Sequence, residues 1–439
     1  MALSRWGAVL AGTTALIVLV SGCGSSGSSS GANGSSASDQ HVEKLTFDFP
    51  VAVAGPVAQD VKDLVNQFNQ THKNIQVSPV FTGDYQTTMT KVQTAAKAGS
   101  TPDVAVLQST DMYSLLDANL ILPIDQFATS DSDKQWLTSF YPALMANSTL
   151  NGKTYGIPFQ RSTLLLYYNK DEFNRAGLDP NSPPTSWDEL VKDGKMLTKN
   201  GQWGLEIPTS GLTYWEFQPF AIENGQNVVG DAANKVTYDD PKVAQALQFF
   251  ADLSKKDKIE PTGLLGWTTA PTDFESGKAA MIYHSSGSLT SILKTAKFNV
   301  GVAELPGNVQ KGSPTGGGNL YVFNTKDSAK EQAAYEFVKW MAQPDNAAKW
   351  SIETGYVGSS PAVYETDAMK QYLQKTPQAA AIQQQMQSAA KELGTHDGQE
   401  IQSILSTACQ QVLTANVTPQ QALKDAQQKA DQILSKYQN

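Results

Sequence analysis

The residues of this chain best suited to chemistry are short polar clusters at the ends of apolar runs. Gly83-Asp84-Tyr85 and Gln108-Ser109-Thr110-Asp111 each follow an apolar segment, Arg161-Ser162 precedes one, and His284-Ser285-Ser286-Gly287-Ser288 follows another. Tyr214 and Trp215, within Thr213-Tyr214-Trp215-Glu216-Phe217, offer two aromatic faces. Hydroxyls, a guanidinium and flat rings suit the holding of an oxygen-rich small molecule, since the first two hydrogen-bond it and the rings stack on its apolar face. The signs of catalysis are thinner. The four histidines, at 41, 72, 284 and 396, show no metal-ligand spacing. From residue 44 onward no Gly-x-Ser-x-Gly elbow marks a nucleophilic serine. Gly316-Gly317-Gly318 lacks the Gly-Lys-Ser/Thr ending of a nucleotide loop. With 42 Asp and Glu, a pair of carboxylates for glycoside hydrolysis stays open.

Each cluster also has a plainer reading. Tyr214 and Trp215 fit a packed core, Ser285 and Ser286 fit a helix cap, and Gly316 to Gly318 fit a flexible turn. Tyr85 could open a helix on the surface, Tyr356 could cover the end of one, and a lone His284 beside serines fits a hydrogen-bonded structural residue.

The elements that must position these residues follow from periodicity. Residues 45–53 read as a strand, 57–68 as a helix with Val57, Val61, Leu64, Val65 and Phe68 on one face, 75–81 as a strand, 86–98 as a helix and 104–107 as a buried strand. Strand and helix in alternation imply a parallel sheet of the doubly wound kind. Ligands bind beyond the carboxyl ends of such strands, which is where the turns at 83–85 and 108–111 fall. Residues 164–168 (Leu-Leu-Leu-Tyr-Tyr) read as a buried strand that leaves a polar crossing point and enters a second unit at Asn169-Lys170-Asp171. Residues 152–158 read as a hairpin running into that crossing. Ser186 and Asp240-Pro241 signal helix starts, 281–283 and 298–305 read as strands, and 298–305 is expected to return the chain to the first unit. Thr418-Pro419 opens the last helix.

The 439 residues suffice for two cores, and a net charge of −9 without a basic stripe argues against nucleic acid. Residues 1–23 read as a signal segment, with Arg5 before a short apolar stretch, ending in Val20-Ser21-Gly22-Cys23. That ending resembles a bacterial lipobox, which implies diacylation of Cys23. Residues 24–43 read as a flexible Gly/Ser linker. Cys409, left without a disulfide partner, reads as a packed helix residue.

From about residue 44 onward the chain resembles the family 1 extracellular solute-binding proteins of ABC importers, within it the branch that binds glycerol-3-phosphate, glycerophosphodiesters and sugars. The resemblance is carried by PFQRSTLLLYYNKDEF (158–173), AGLDPNSPPTSWDEL (176–190), FESGKAAM followed by HSSGSL, KFNVGVAELPG (297–307), PDNAAKW with TGY, and TPQQAL. It implies an α/β fold of the periplasmic-binding-protein type: two doubly wound lobes on a multi-strand hinge, one made of 44–160 and 296–345, the other of 161–295 and 346–439. It also implies a binding protein without catalytic residues or cofactor, a carbohydrate or glycerol-3-phosphate-type ligand, membrane permease partners, and a monomer lipid-anchored to the outer face of the cell membrane.

Carried over position by position, the resemblance implies ligand contacts at Tyr85, Ser162, Ser285, Gly317 and Tyr356, with Trp215 and neighbouring Tyr214 packing on the ligand. Two positions depart from the pattern. The expected acid aligns with Ser109, near which Asp111 could substitute, and the expected phosphate-holding arginine aligns with Gln402. Arg161 could supply the missing charge, or it could hydrogen-bond the hydroxyls of a neutral sugar, and both ligand types stay open. So do an extracellular lipoprotein hydrolase acting on glycosides or phosphodiesters, and a sensor-associated or adhesion lipoprotein.

Overall fold

The computed structural model describes residues 41–199 and 201–438. The signal segment, Cys23 and the linker up to residue 40 lie outside the described residues, and the first strand begins at Glu43, inside the stretch read as linker. No described helix is long and apolar enough to cross a membrane.

Alternation builds the first sheet edge. Strand β1 (Glu43–Pro50) buries Leu45, Phe47 and Phe49 and pairs in parallel with β2 (Ile75–Gly83), setting Leu45 opposite Val77. The helix between them, Val57–Thr71, buries the five residues expected from its period. The Asp84 side chain accepts from Thr87 N and caps the helix Tyr85–Lys97, placing Tyr85 at its first turn. The apolar β3 (Val104–Gln108) pairs in parallel with the other side of β1 and delivers Ser109 at its carboxyl end.

The hairpin of β4 (Thr149–Leu150) and β5 (Lys153–Thr154) leads into β6 (Gly156–Asn169), a strand buried over its whole length. With β7 (Met281–Ser285), β8 (Val300–Ala303), β9 (Ser313–Val322) and β10 (Ala389–Ala390) the sheet has the order β2-β1-β3-β9-β6-β7, β8 adding to β6 and β10 to β9.

The strand β6 changes partners midway. From Gly156 to Thr163 it pairs with β9; from Leu164 to Tyr168 it pairs with β7, and β8 joins from Leu166. The apolar interior divides at the same point. Ile157 and Phe159 pack with β1, β3 and Trp350, whereas Leu164, Leu166 and Tyr168 pack with the helices Thr213–Glu223, Gly398–Thr414 and Pro419–Leu434. Cys409 is buried in the second of these helices.

Two expectations are corrected here. The segment 298–305 does not carry the chain back, because β8 lies on the same half of β6 as β7; the strand that brings the chain back is β9, which pairs with β3 through residues 318–322 and with the first half of β6 through 315–321. Gly316 to Gly318 are not a turn before a strand but part of β9 itself. Gly317 has φ +82°, and a Cβ there would fall 1.9 Å from Gln160 O. Only glycine lets β9 lie that close to the register shift that β6 makes between Pro158 and Gln160.

Candidate ligand-binding crevice

Seven of the ten expected ligand residues meet at one crevice, which opens where β6 changes partners: Tyr85, Ser162, Tyr214, Trp215, Ser285, Gly317 and Tyr356. Each is placed by a local reason. Ser162 opposes Gly316 in the β6–β9 register. The Trp215 ring lies on the bare backbone of Gly316, where a Cβ would meet it at 2.5 Å, and its Nε1 donates to Thr315 O at 3.0 Å. Ser285 ends β7, and its Oγ accepts from Gly287 N. Tyr356 follows the helix Pro344–Thr354, which Gly355 ends in the left-handed conformation, and its ring stacks on Trp350 at 5.5 Å. Tyr85 donates its hydroxyl to Gln160 Oε1 at 3.0 Å, and its ring lies against Gly318.

The other three, Arg161, Ser109 and Asp111, stand behind the wall. Arg161 does not face the crevice, contrary to its expected role as a direct ligand holder. It is fully buried, and its nitrogens donate to Gly316 O, Leu144 O, Asn319 Oδ1 and Thr315 Oγ1 at 2.9 to 3.2 Å. Ser109 donates to Glu392 Oε2 at 3.3 Å. Burial raises the Asp111 carboxyl to about 7, the Gln399 hydrogen bond offsetting it, and its Oδ2 has no partner. Gln402, where an arginine was expected, donates to Leu393 O and so fixes the segment that carries Glu392.

Glu392 is the residue that sequence reasoning missed. It lies between β10 and the helix Gly398–Thr414, in a short segment without periodicity whose Gly394 and Asp397-Gly398 read as a plain loop, and it reaches the crevice wall. Tyr214 OH donates to its Oε1 at 3.0 Å. Burial raises its carboxyl to about 7 against the pull of the Arg161 guanidinium and of the Tyr214 and Ser109 hydrogen bonds.

Trp267 was missed for the same reason. Its Nε1 donates to Ala52 O at 3.1 Å, across 215 positions of sequence, and its ring lies 6.0 Å from Trp215 and 4.2 Å from His284. Burial pushes His284 down to about 4, so the ring is neutral, and its Nε2 pairs with Trp267 O at 3.1 Å. With that bridge the crevice is shut down to about 30 Å³, room for water but not for a sugar. Three roomier surface hollows, of about 360 Å³ beside Lys170 and Asn299, about 220 Å³ beside Val57 and Lys294 and about 580 Å³ beside Glu206 and Lys278, contain none of the expected residues. Among the described residues no cluster of His, Cys, Asp or Glu is arranged to hold a metal ion.

A polar crevice floored by long shared strands, with aromatic rings on its walls, defines a binding protein for small molecules. The family model for bacterial extracellular solute-binding proteins matches residues 63–381, and the chain belongs to that family. Among its relatives are the sn-glycerol-3-phosphate-binding periplasmic proteins UgpB of Pectobacterium atrosepticum, 28% identical over 407 residues covering 88% of this chain and 90% of that protein, and of Salmonella typhimurium, 29% identical over 418 residues covering 91% and 94%. Among solved structures the fold matches UgpB from Mycobacterium tuberculosis in complex with glycerophosphocholine, with a TM-score of 0.78 at 22% identity over 89% of this chain and 98% of that one. It also matches maltose-bound MalE3 of T. maritima, with a TM-score of 0.77 at 23% identity over 89% and 100%. The fold is thus the mixed α/β fold of the periplasmic binding proteins, built on one curled central sheet.

Proposed function

We propose that this protein is the substrate-capturing component of an ABC importer, held outside the cell by a lipid on Cys23 and tethered through residues 24–42. It closes on a hydroxyl-rich small molecule of the carbohydrate or glycerol-3-phosphate type and presents the closed form to a membrane permease. The observation that carries this reading is the convergence of Tyr85, Ser162, Tyr214, Trp215, Ser285, Gly317 and Tyr356 on one crevice at the point where β6 changes partners. The lobes are proposed to divide as 44–160 with 296–345 and 161–295 with 346–439, apart from β8, which sits with β7. A ligand that touches both walls binds the closed state better and shifts the balance toward it by that difference in affinity.

No catalytic group is part of this reading. A glycosidase needs two carboxylates flanking the scissile bond; among the described residues Glu392 is the one carboxylate in the wall. The test is incubation of the purified protein with glycerophosphocholine and with oligosaccharides. A bound ligand at 100 times its Kd adds about 2.7 kcal/mol of stability, seen as a rise in melting temperature with the ligand recovered intact. Turnover of any of these compounds, or no shift with all of them, overturns the proposal.

A further inference from the structure

The charges around the crevice are unevenly placed. Glu392 faces the space, and among the described residues of the wall there is neither lysine nor arginine. Each of its oxygens accepts one hydroxyl, from Tyr214 and from Ser109, and keeps a lone pair to offer. The balancing cation, Arg161, lends its field to Glu392 but is fully buried behind the wall, with four of its five N–H groups given to Gly316, Leu144, Thr315 and Asn319. Asp111 adds a second carboxyl behind the wall. The remaining titratable groups of the wall, Tyr85, Tyr214 and Tyr356, are neutral, as is His284 behind Trp267. A phosphate in this space would give up its water, find no charge-assisted donor and stand beside a carboxylate. A sugar hydroxyl would instead donate to that carboxylate, while Trp215 and Trp267 cover the apolar face of the ring.

We propose that Glu392 is a specificity-determining residue, which makes the crevice accept neutral polyhydroxylated molecules, sugars by class, and reject ligands of the glycerol-3-phosphate type. This rests on the capture function proposed above and sets the chain apart from the relatives named for glycerol-3-phosphate. The position of Arg161 is part of the inference: as a positioning residue it holds the wall and balances Glu392 without reaching the ligand.

Calorimetric titration of the intact protein and of Glu392→Gln tests it. The probes are neutral mono- to tetrasaccharides and polyols on one side, and glycerol-3-phosphate, glycerophosphocholine and choline on the other. At least one neutral probe should bind the unmodified protein 100-fold more tightly than either phosphate compound. Glu392→Gln should weaken that probe at least 10-fold and leave glycerol-3-phosphate binding equal or tighter, whereas a merely structural loss would weaken both. Tighter binding of a phosphate compound or of choline than of every neutral probe overturns the inference while the capture function stands; so does unchanged sugar affinity in the variant. No binding by any probe overturns the capture function itself and this inference with it. If the variant fails to fold, the preference of the unmodified protein still decides.

Discussion

Arg161 shows how a residue can matter to a site without touching what the site holds. Its guanidinium ties β6 to β9 through Gly316 and Thr315 and to Leu144 and Asn319, and it is the cation beside buried Glu392. Arg161→Ala leaves these acceptors without donors and the acid without its counter-charge, a loss of about 3 to 5 kcal/mol, measured by urea denaturation. Arg161→Lys recovers part of it, since one ammonium cannot reach acceptors fanned around a planar fork. A stability within 1 kcal/mol of the parent for the alanine variant would show that water replaces the network. Gly317→Ala is expected to cost about 3 kcal/mol or more, because φ +82° strains an alanine and its Cβ meets a backbone oxygen rather than a yielding side chain. The same denaturation series reads it. Seven expected residues come together at the crevice: small polar and aromatic residues at strand ends suggest a ligand, and the family motifs fix the positions. Arg161 was misjudged because charge is visible in a sequence, while the backbone carbonyls that absorb it are not.

Among the elements, the strands were legible in proportion to their apolar content. β1, β2 and β3 follow alternation or apolar runs, but only 164–168 of the fourteen residues of β6 read as strand. Its first half hides polar side chains that are satisfied inside: Gln160 by Tyr85 OH and Pro50 O, Thr163 Oγ1 by Ser313 and Pro314. A buried polar strand of this kind has the composition of a loop. Of β9 only the apolar end from residue 320 read as strand; the rest was hidden by its glycines, which serve close packing and not flexibility. Trp267, in the irregular stretch before the helix Thr269–Glu275, carried no signal at all, yet its indole holds the two walls together through Ala52 O. Trp267→Ala removes that hydrogen bond and the ring between Trp215 and His284. Small-angle scattering of the ligand-free variant should give a larger radius of gyration than the parent; an equal radius would show that the bridge does not hold the crevice shut.

For the whole molecule, the distribution of buried acids sets the response to pH. Glu216, Glu223 and Glu260 are fully enclosed and held well above the usual carboxylate range by burial, and Glu206, Asp111 and Glu392 titrate near 7. Neither oxygen of Glu216 has a partner, as befits a carboxyl kept neutral. In the unfolded chain these groups lose their protons near pH 4, so above that the folded state binds more protons than the unfolded one. Stability therefore falls as pH rises from about 4.5 through 7 and beyond. His284 acts in the opposite sense: buried and titrating near 4, it must be deprotonated to fold and loses stability as pH falls from 6.5 toward 4. The exposed Asp84 and Glu189 and the half-buried Asp133 and Asp171, whose carboxyls hydrogen bonds hold below their usual values, lose theirs only in stronger acid. These six raised carboxyls, with Asp48, Asp60, Asp193, Glu275 and Glu353 raised in the same direction by burial, outweigh one histidine, and the net charge of −9 at pH 7 adds self-repulsion of the same sign at high pH. The melting temperature of the ligand-free protein should thus peak near pH 5 to 6 and drop by several degrees at pH 8. Calorimetry that found it rising over that interval would mean that the buried acids ionise at little cost, through water that reaches them or cations that pair with them.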